Sequence, residues 1–393
     1  MIGRRQLPVS SPLSLGALVR AAVAAAAFGP RSAHDAVAAA LRVRFDARAV
    51  ALTDSGTSAL VLALRLAMPR SGTVALPAYA CVDLLAAAAR AGVRVRFYDV
   101  VPDTLGPDLD SVRAALQRGA DTIVVAHLYG YPADVPAVRA LADAHGAMVI
   151  EDAAQQAGGT LRGTRLGAFG PLTVLSFGRG KGTTGGRGGA LLAFDTTTLS
   201  GVSLPPSGAG WSDLARAAAQ WAAGRPALYG IPASIPALRL GETVYHEAHE
   251  PHGLSTAPAR LVVASLARAD ADRVGRAATS DRLRAALADA PSLRIVREID
   301  GAQSGYLRLP VLDAAHRESL AASGVVRSYP RSLDQEPAAA ALVHRGEPSP
   351  IGAHEVCDTL WTLPTHDMVT DRDIAAILAW STAHEARARV SLI

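Results

Sequence analysis

The chain reads as an α/β protein built on a mostly parallel sheet and completed by a smaller α+β region. Three observations predict this. Short apolar runs alternate with alanine-rich helical patterns through the first 150 residues, the rhythm of a repeated βα unit. Each notable polar motif falls just after one of those runs, at the strand ends where open parallel sheets hold ligands. Beyond Gly201 the rhythm stops and the composition changes.

Taken in order, the elements begin with an ambiguity. Arg4 and Arg5, followed by an alanine-rich run to Ala27, imitate a secretory signal. Arg20 interrupts the run and alanine is the best helix former, so a surface helix is expected instead. Strands are predicted at 49–53, 73–76, 93–98, 122–126 and 147–150, with helices opening near 57, 82, 109 and 133. Residues 201–255 contain prolines, glycines, two tryptophans and three histidines, and predict an irregular excursion. A long helical pattern over 257–288 leads to strands at 293–297 and 306–310 and to helices near Ala314 and Asp371. The expected division is a large domain over 1–255, including the N-terminal helix and the excursion, and a small α+β domain over 256–393.

Bulk composition narrows the function classes. With 393 residues, half of them hydrophobic and 19% charged, the chain can bury a large core. Its net charge of +4 suits an anionic small molecule and is too small and scattered for a nucleic-acid footprint. No stretch approaches the roughly 20 apolar residues of a membrane span. Cys81 and Cys357 are too far apart in sequence for a metal-ligand pair and too few for a disulfide framework, which points to a reducing, cytoplasmic setting.

The chemistry centres on Lys181, an amine in a glycine-rich run from Gly178 to Gly189 that follows a short apolar strand. The run fails the phosphate-loop pattern, because Leu175 stands where its first glycine belongs and Gly182 follows the lysine. As an arginine-glycine nucleic-acid segment it lacks stacking aromatics. Asp152, after another strand, suits either a helix N-cap or a partner for a protonated ring nitrogen. Gly56, Thr57 and Ser58 open a helix, and either cap it or offer an anion site for a phosphate. Ser176 adds a hydroxyl five residues before the lysine. A phosphate cradle, an acid for a ring nitrogen and a strand-end lysine are together what pyridoxal 5'-phosphate requires. His246, His249 and His252, spaced three and three in a proline-containing segment, read as a solvated or substrate-facing loop rather than a metal site.

On these residues the chain resembles the DegT/StrS family of pyridoxal-phosphate aminotransferases. The matching stretches are Ser55-Gly56-Thr57-Ser58-Ala59-Leu60, Phe97-Tyr98-Asp99, His127-Leu128-Tyr129-Gly130, Ile150-Glu151-Asp152-Ala153-Ala154-Gln155 and Ser176-Phe177 through Lys181 to Gly189. Weaker echoes follow at Ser328-Tyr329-Pro330 and Leu363-Pro364-Thr365-His366. The resemblance implies an aspartate-aminotransferase-like, fold type I large domain. It implies that Lys181 binds the cofactor covalently, Asp152 pairs with its ring nitrogen, Gln155 sits near the ring, and Gly56, Thr57, Ser58 and Ser176 hold its phosphate. The activity implied is amino transfer from an amino acid donor, glutamate first, to a keto acceptor such as a nucleotide-linked keto-sugar, by a homodimer with shared active sites. A cofactor-binding regulator of the same fold is the alternative. Three departures stand out: Cys81 where the family stacks an aromatic residue on the ring, Arg187 where it has glutamate, and Pro251-His252-Gly253-Leu254 where it has a Gly-x-Asn-x-Arg segment.

Overall fold

The computed structural model describes residues 4–68, 71–235, 243–288, 290, 292–313, 315 and 317–390. Seven strands form the main sheet: β1 (Ala49–Thr53), β2 (Thr73–Pro77), β3 (Arg94–Tyr98), β4 (Thr122–Ala126), β5 (Met148–Asp152), β6 (Leu172–Ser176) and β7 (Gly189–Ala193). Their order is β1-β7-β6-β5-β4-β2-β3, and only β7 runs against the others. Both faces are covered, which is why the strands read as continuous apolar runs. Ile123 and Val125 of β4 join a core with Val112, Val138 and Val149, while Val124 between them joins the opposite face with Leu60, Leu64 and Leu85. That alternation is the period of two of a strand buried on both sides.

Helices Gly56–Ala67, Asp83–Ala91, Leu109–Gln117 and Val135–Ala144 supply the crossovers. Three of them start on a side-chain cap: Ser55 accepts from Ser58 N, Asp108 from Ser111 N and Asp134 from Ala137 N. Each cap satisfies one otherwise orphaned donor. Because the parallel strands all point one way, their carboxyl ends and these helix starts share one edge of the sheet. The N-terminal helix forms over Leu15–Ala27, with Leu18 and Ala21 buried, and a further helix, Pro30–Phe45, follows it.

Several expectations are corrected. The 201–255 segment contains the helices Trp211–Ala223 and Pro226–Ala233. The first buries Leu214 and Ala217 against Leu18, Ala21 and Leu261, and the second starts with proline where its missing N–H costs nothing. The helical pattern over 257–288 is two helices, Thr256–Leu266 and Ala269–Ala286. They part because they pack on different partners, the first on Leu15–Ala27 and Pro30–Phe45, the second on the C-terminal helix Asp371–Val390.

The strand expected at 306–310 begins later, at Leu309. Gly305 and Leu307 instead hydrogen-bond the Gly130 and Tyr129 carbonyls, and Tyr306 takes a left-handed φ of 48°. This strand, Leu309–Asp313, is the centre of a small antiparallel sheet with Leu293–Ile295 and Leu360–Leu363. Of the helix expected near 314, that residue itself lies outside the described residues.

Candidate active site

A cavity of about 310 Å³ opens at the carboxyl edge of the main sheet, lined by Gly56, Thr57, Cys81, Asp152, Gln155, Ser176 and Lys181 among others. The antiparallel β7 explains how its two halves meet. Gly189 lies opposite Thr53 of β1 and also opposite Ser176 of β6, so the helix start after β1 is brought to within one strand of the Ser176 hydroxyl. A Cβ on Gly189 would sit 2.7 Å from Gly56 N and closer still to the Ser55 carbonyl. Gly56 itself is packed the same way, with room for a Cβ only 2.7 Å from Ser176 Cβ. Two glycines therefore let three chain segments converge on one small volume, whose open donors are those of a helix N-terminus.

Five of the six further residues expected to bind cofactor beside Lys181 line this cavity: Gly56, Thr57, Asp152, Gln155 and Ser176. The sixth, Ser58, is turned away and buried. Its hydroxyl donates to Asp54 Oδ1 at 2.6 Å and takes the Ser55 hydroxyl at 2.9 Å, so it braces the cradle from behind.

Asp152 ends β5 with Oδ1 accepting from Ala154 N at 3.0 Å. Burial pushes its carboxyl up, and the Ala154 N–H and the Lys181 charge oppose that only in part. Behind it, Glu151 points to the other face of the strand and is wholly buried. Burial acts to raise it, but His127 and the Gly167 and Phe169 N–H groups outweigh this and hold it below the usual carboxylate range. The tautomer of His127 follows from its partners. Ala133 N–H donates to Nδ1 at 3.0 Å, so the proton sits on Nε2 and is given to Glu151 Oε1 at 2.8 Å. His127 is thereby locked into the cavity wall.

Gln155 is anchored at both ends of its amide. Its Oε1 accepts from Tyr129 N at 2.9 Å and its Nε2 donates to Tyr329 OH at 2.7 Å. Tyr129 pairs with Tyr79 at 2.9 Å between hydroxyls, and both rings lie against Tyr329, with centroids 6.2 and 5.4 Å away. Tyr79 is thus committed to this buried cluster and is not among the cavity walls, whereas Cys81 is. Burial, helped by Asp83, pushes the Cys81 thiol up to about 12, so the wall there is neutral and polarizable.

Sequence reasoning missed Asp54 and the tyrosine cluster. Arg187 donates to Asp54 Oδ2 at 2.9 Å and to the Asp54 carbonyl at 3.1 Å, so this arginine enters the cavity wall already paired. Asp54 stands at a strand end next to Ser55, a signal comparable to that of Asp152. Tyr329 had only the Ser-Tyr-Pro echo.

The sequence model of the DegT/DnrJ/EryC1/StrS aminotransferase family matches residues 29–202. An L-glutamine:2-deoxy-scyllo-inosose aminotransferase of Streptomyces kanamyceticus is 37% identical over 142 residues, which cover 36% of this chain and 33% of that protein. A dTDP-4-dehydro-2,3,6-trideoxy-D-glucose 4-aminotransferase of Saccharopolyspora spinosa is 34% identical over 168 residues, 42% of this chain and 44% of that one. The matches thus span a third to under a half of these relatives' lengths. An aminotransferase from Streptoalloteichus hindustanus has the same fold, with a TM-score of 0.75 at 23% identity over 98% of this chain and 99% of its own. The α/β architecture with its mostly parallel sheet is therefore the fold type I architecture of these enzymes.

Proposed function

We propose that this chain, whose residues 29–202 match the DegT/DnrJ/EryC1/StrS aminotransferase family model, is a member of that family and a pyridoxal-phosphate-dependent aminotransferase acting on a keto-sugar or keto-cyclitol. The observation that carries this is the convergence of Lys181, Asp152 and the Gly56–Thr57–Ser176 cradle on one cavity. The cavity's chemistry fits the cofactor. A small anion meets a helix N-terminus and hydroxyls, and the half-buried Asp152 carboxyl, raised by desolvation, suits a cationic partner. Bound there, pyridoxal phosphate supplies an electron sink for the bond broken at the donor's α-carbon.

The residues then divide the work. Gly56 and Thr57, with Ser176, hold the phosphate, and Asp152 keeps the ring nitrogen protonated. Gln155, fixed by Tyr129 and Tyr329, would orient the edge of the ring, and Cys81 would offer it a soft, neutral wall. Lys181 would hold the cofactor, and its freed Nζ would carry the proton taken from the donor's α-carbon. Glutamate or glutamine suits as donor, since both the family's chemistry and the name of the Streptomyces relative point to such amines. The nucleotide-linked sugars named for the Saccharopolyspora relative suit as acceptors. We take the active species to be a cytoplasmic homodimer, with a large domain over 1–255 and a small one over 256–393. Among the described residues, no helix is long and apolar enough to cross a membrane.

The test is unusually clean because Lys181 is the only lysine in the chain. Protein mixed with the cofactor should turn yellow, and borohydride should remove the band and leave the cofactor's mass on the peptide containing residue 181. Lys181→Ala should show neither. A wild type that stays colourless sinks the proposal. Cys81 favours a second reading, a cofactor binder without turnover, and this is separated by adding glutamate or glutamine. An aminotransferase loses the yellow band and releases a keto acid, whereas a binder keeps it.

A further inference from the structure

The second chemistry-bearing cluster lies just outside the cavity, where the 246–252 segment folds back on the end of β1. The segment is firmly held. Asp54 N donates to the His252 carbonyl at 2.9 Å, Gly253 N to the Pro205 carbonyl at 2.9 Å, and Glu250 is clamped by Arg65 at 2.7 Å and by Arg90 at 3.4 Å. His249, His252 and Asp54 each bring a ligand atom to within 4.8 Å of the others, while His246 does not take part.

The two imidazoles are oriented by one oxygen. Nδ1 of His249 and Nδ1 of His252 lie 2.7 and 2.8 Å from the Glu250 carbonyl. A carbonyl only accepts, so both rings donate Nδ1–H to it, and in the neutral rings both Nε2 atoms present lone pairs. This is the outer support that metal-binding histidines ordinarily have. Nε2 of His249 then faces Asp54 Oδ2 at 3.2 Å, lone pair against a carboxylate, with no proton between them in the neutral ring. Either a proton on Nε2 or a metal ion between the two relieves that contact. The separation is close to the roughly 3.3 Å between two ligands about 2.05 Å from one tetrahedral zinc.

We propose that Asp54, His249 and His252 form a site for a borderline divalent cation of the zinc class, with two imidazole nitrogens, one carboxylate oxygen and the remaining position open to solvent. Harder cations such as magnesium are disfavoured by the two nitrogens. The competitor is internal: Arg187 holds the same Oδ2 at 2.9 Å, and a metal would share that oxygen or release the guanidinium towards Asp213, 3.9 Å away. The site therefore predicts a signature that loosely bound surface histidines would not give.

Zinc chloride titrated calorimetrically into untagged, cofactor-loaded full-length protein should bind with one equivalent per chain. His249→Ala and His252→Ala change exposed side chains and should fold normally, each weakening that binding by about tenfold or more. Arg187→Met, which removes the competing cation, should tighten it. Absence of zinc binding overturns the proposal, as does an affinity unchanged by either histidine substitution or by Arg187→Met, since zinc would then sit elsewhere, for example on Cys81.

Discussion

At the scale of single residues, the neighbours Glu151 and Asp152 show how one strand serves structure and chemistry at once. Successive side chains on a strand point to opposite faces, so one carboxylate enters the cavity while the other is driven into the core. Glu151 survives there because its oxygens accept from His127 and from the Gly167, Phe169 and Gly170 N–H groups. Its folded carboxyl is held down, so its stabilisation is present above the unfolded value of roughly 4.3 and is lost as pH falls through the lower folded value. Glu151→Gln should cost about 3 kcal/mol at pH 7, because buried donors lose a charged acceptor. Urea unfolding should show that deficit shrinking towards pH 3 as the wild-type carboxylate is protonated. A deficit that stays constant with pH would mean the charge contributes nothing.

At the scale of elements, the site depends on β7 reversing direction. Gly189 begins this strand opposite both Thr53 and Ser176, which puts a side-chain-free residue behind the helix start. Gly189→Ala must push the Ser55–Gly56 backbone away from β7 and widen the cradle. Cofactor affinity, read by titrating the yellow band, should fall by roughly tenfold or more, about 1.4 kcal/mol, while the folded protein remains soluble. An unchanged affinity would show that the cradle does not set phosphate binding. The sequence revealed the glycines but not their use. In the fold the run Gly185 to Gly189 is held at both ends, Gly185 N–H donating to the Phe177 carbonyl at 2.9 Å and Phe177 N–H to the Gly188 carbonyl at 2.8 Å.

At the scale of the whole molecule, the N-terminal segment stitches the ends of the chain together. Arg4 and Gln6 both bind Asp373 of the C-terminal helix, His366 donates to the Leu7 carbonyl, and Ser11 accepts from Gly180 N beside the lysine. The helix that follows buries Leu18 and Ala21 but leaves Leu15, Val19 and Val23 more than half exposed. These three are spaced by four and form one stripe on the outer face. They support the homodimer reading: light scattering should give about twice the 40.5 kDa chain mass, and Val19→Asp should shift it towards the monomer. A wild type that is monomeric at micromolar concentration would remove this reading.

The strand positions, the helix starts and the polar residues expected to hold the cofactor, Ser58 excepted, were legible in the sequence, because backbone periodicity and capping are local and strand ends are where parallel sheets keep their polar groups. Lys181, Asp152, Gly56, Thr57 and Ser176 follow from that alone, whereas Gln155 comes only with the family resemblance. What only the tertiary structure decided involves partners distant along the chain. Arg187 arrives paired with Asp54, and Tyr79 is taken up by Tyr129 and Tyr329 so that Cys81 is left on the wall. His249 and His252 acquire a carboxylate from the far end of β1. The physical reason is common to all of them: a side chain's local pattern sets where its backbone lies, but its charge and hydrogen-bonding capacity are spent on whatever folding brings within about 3 Å.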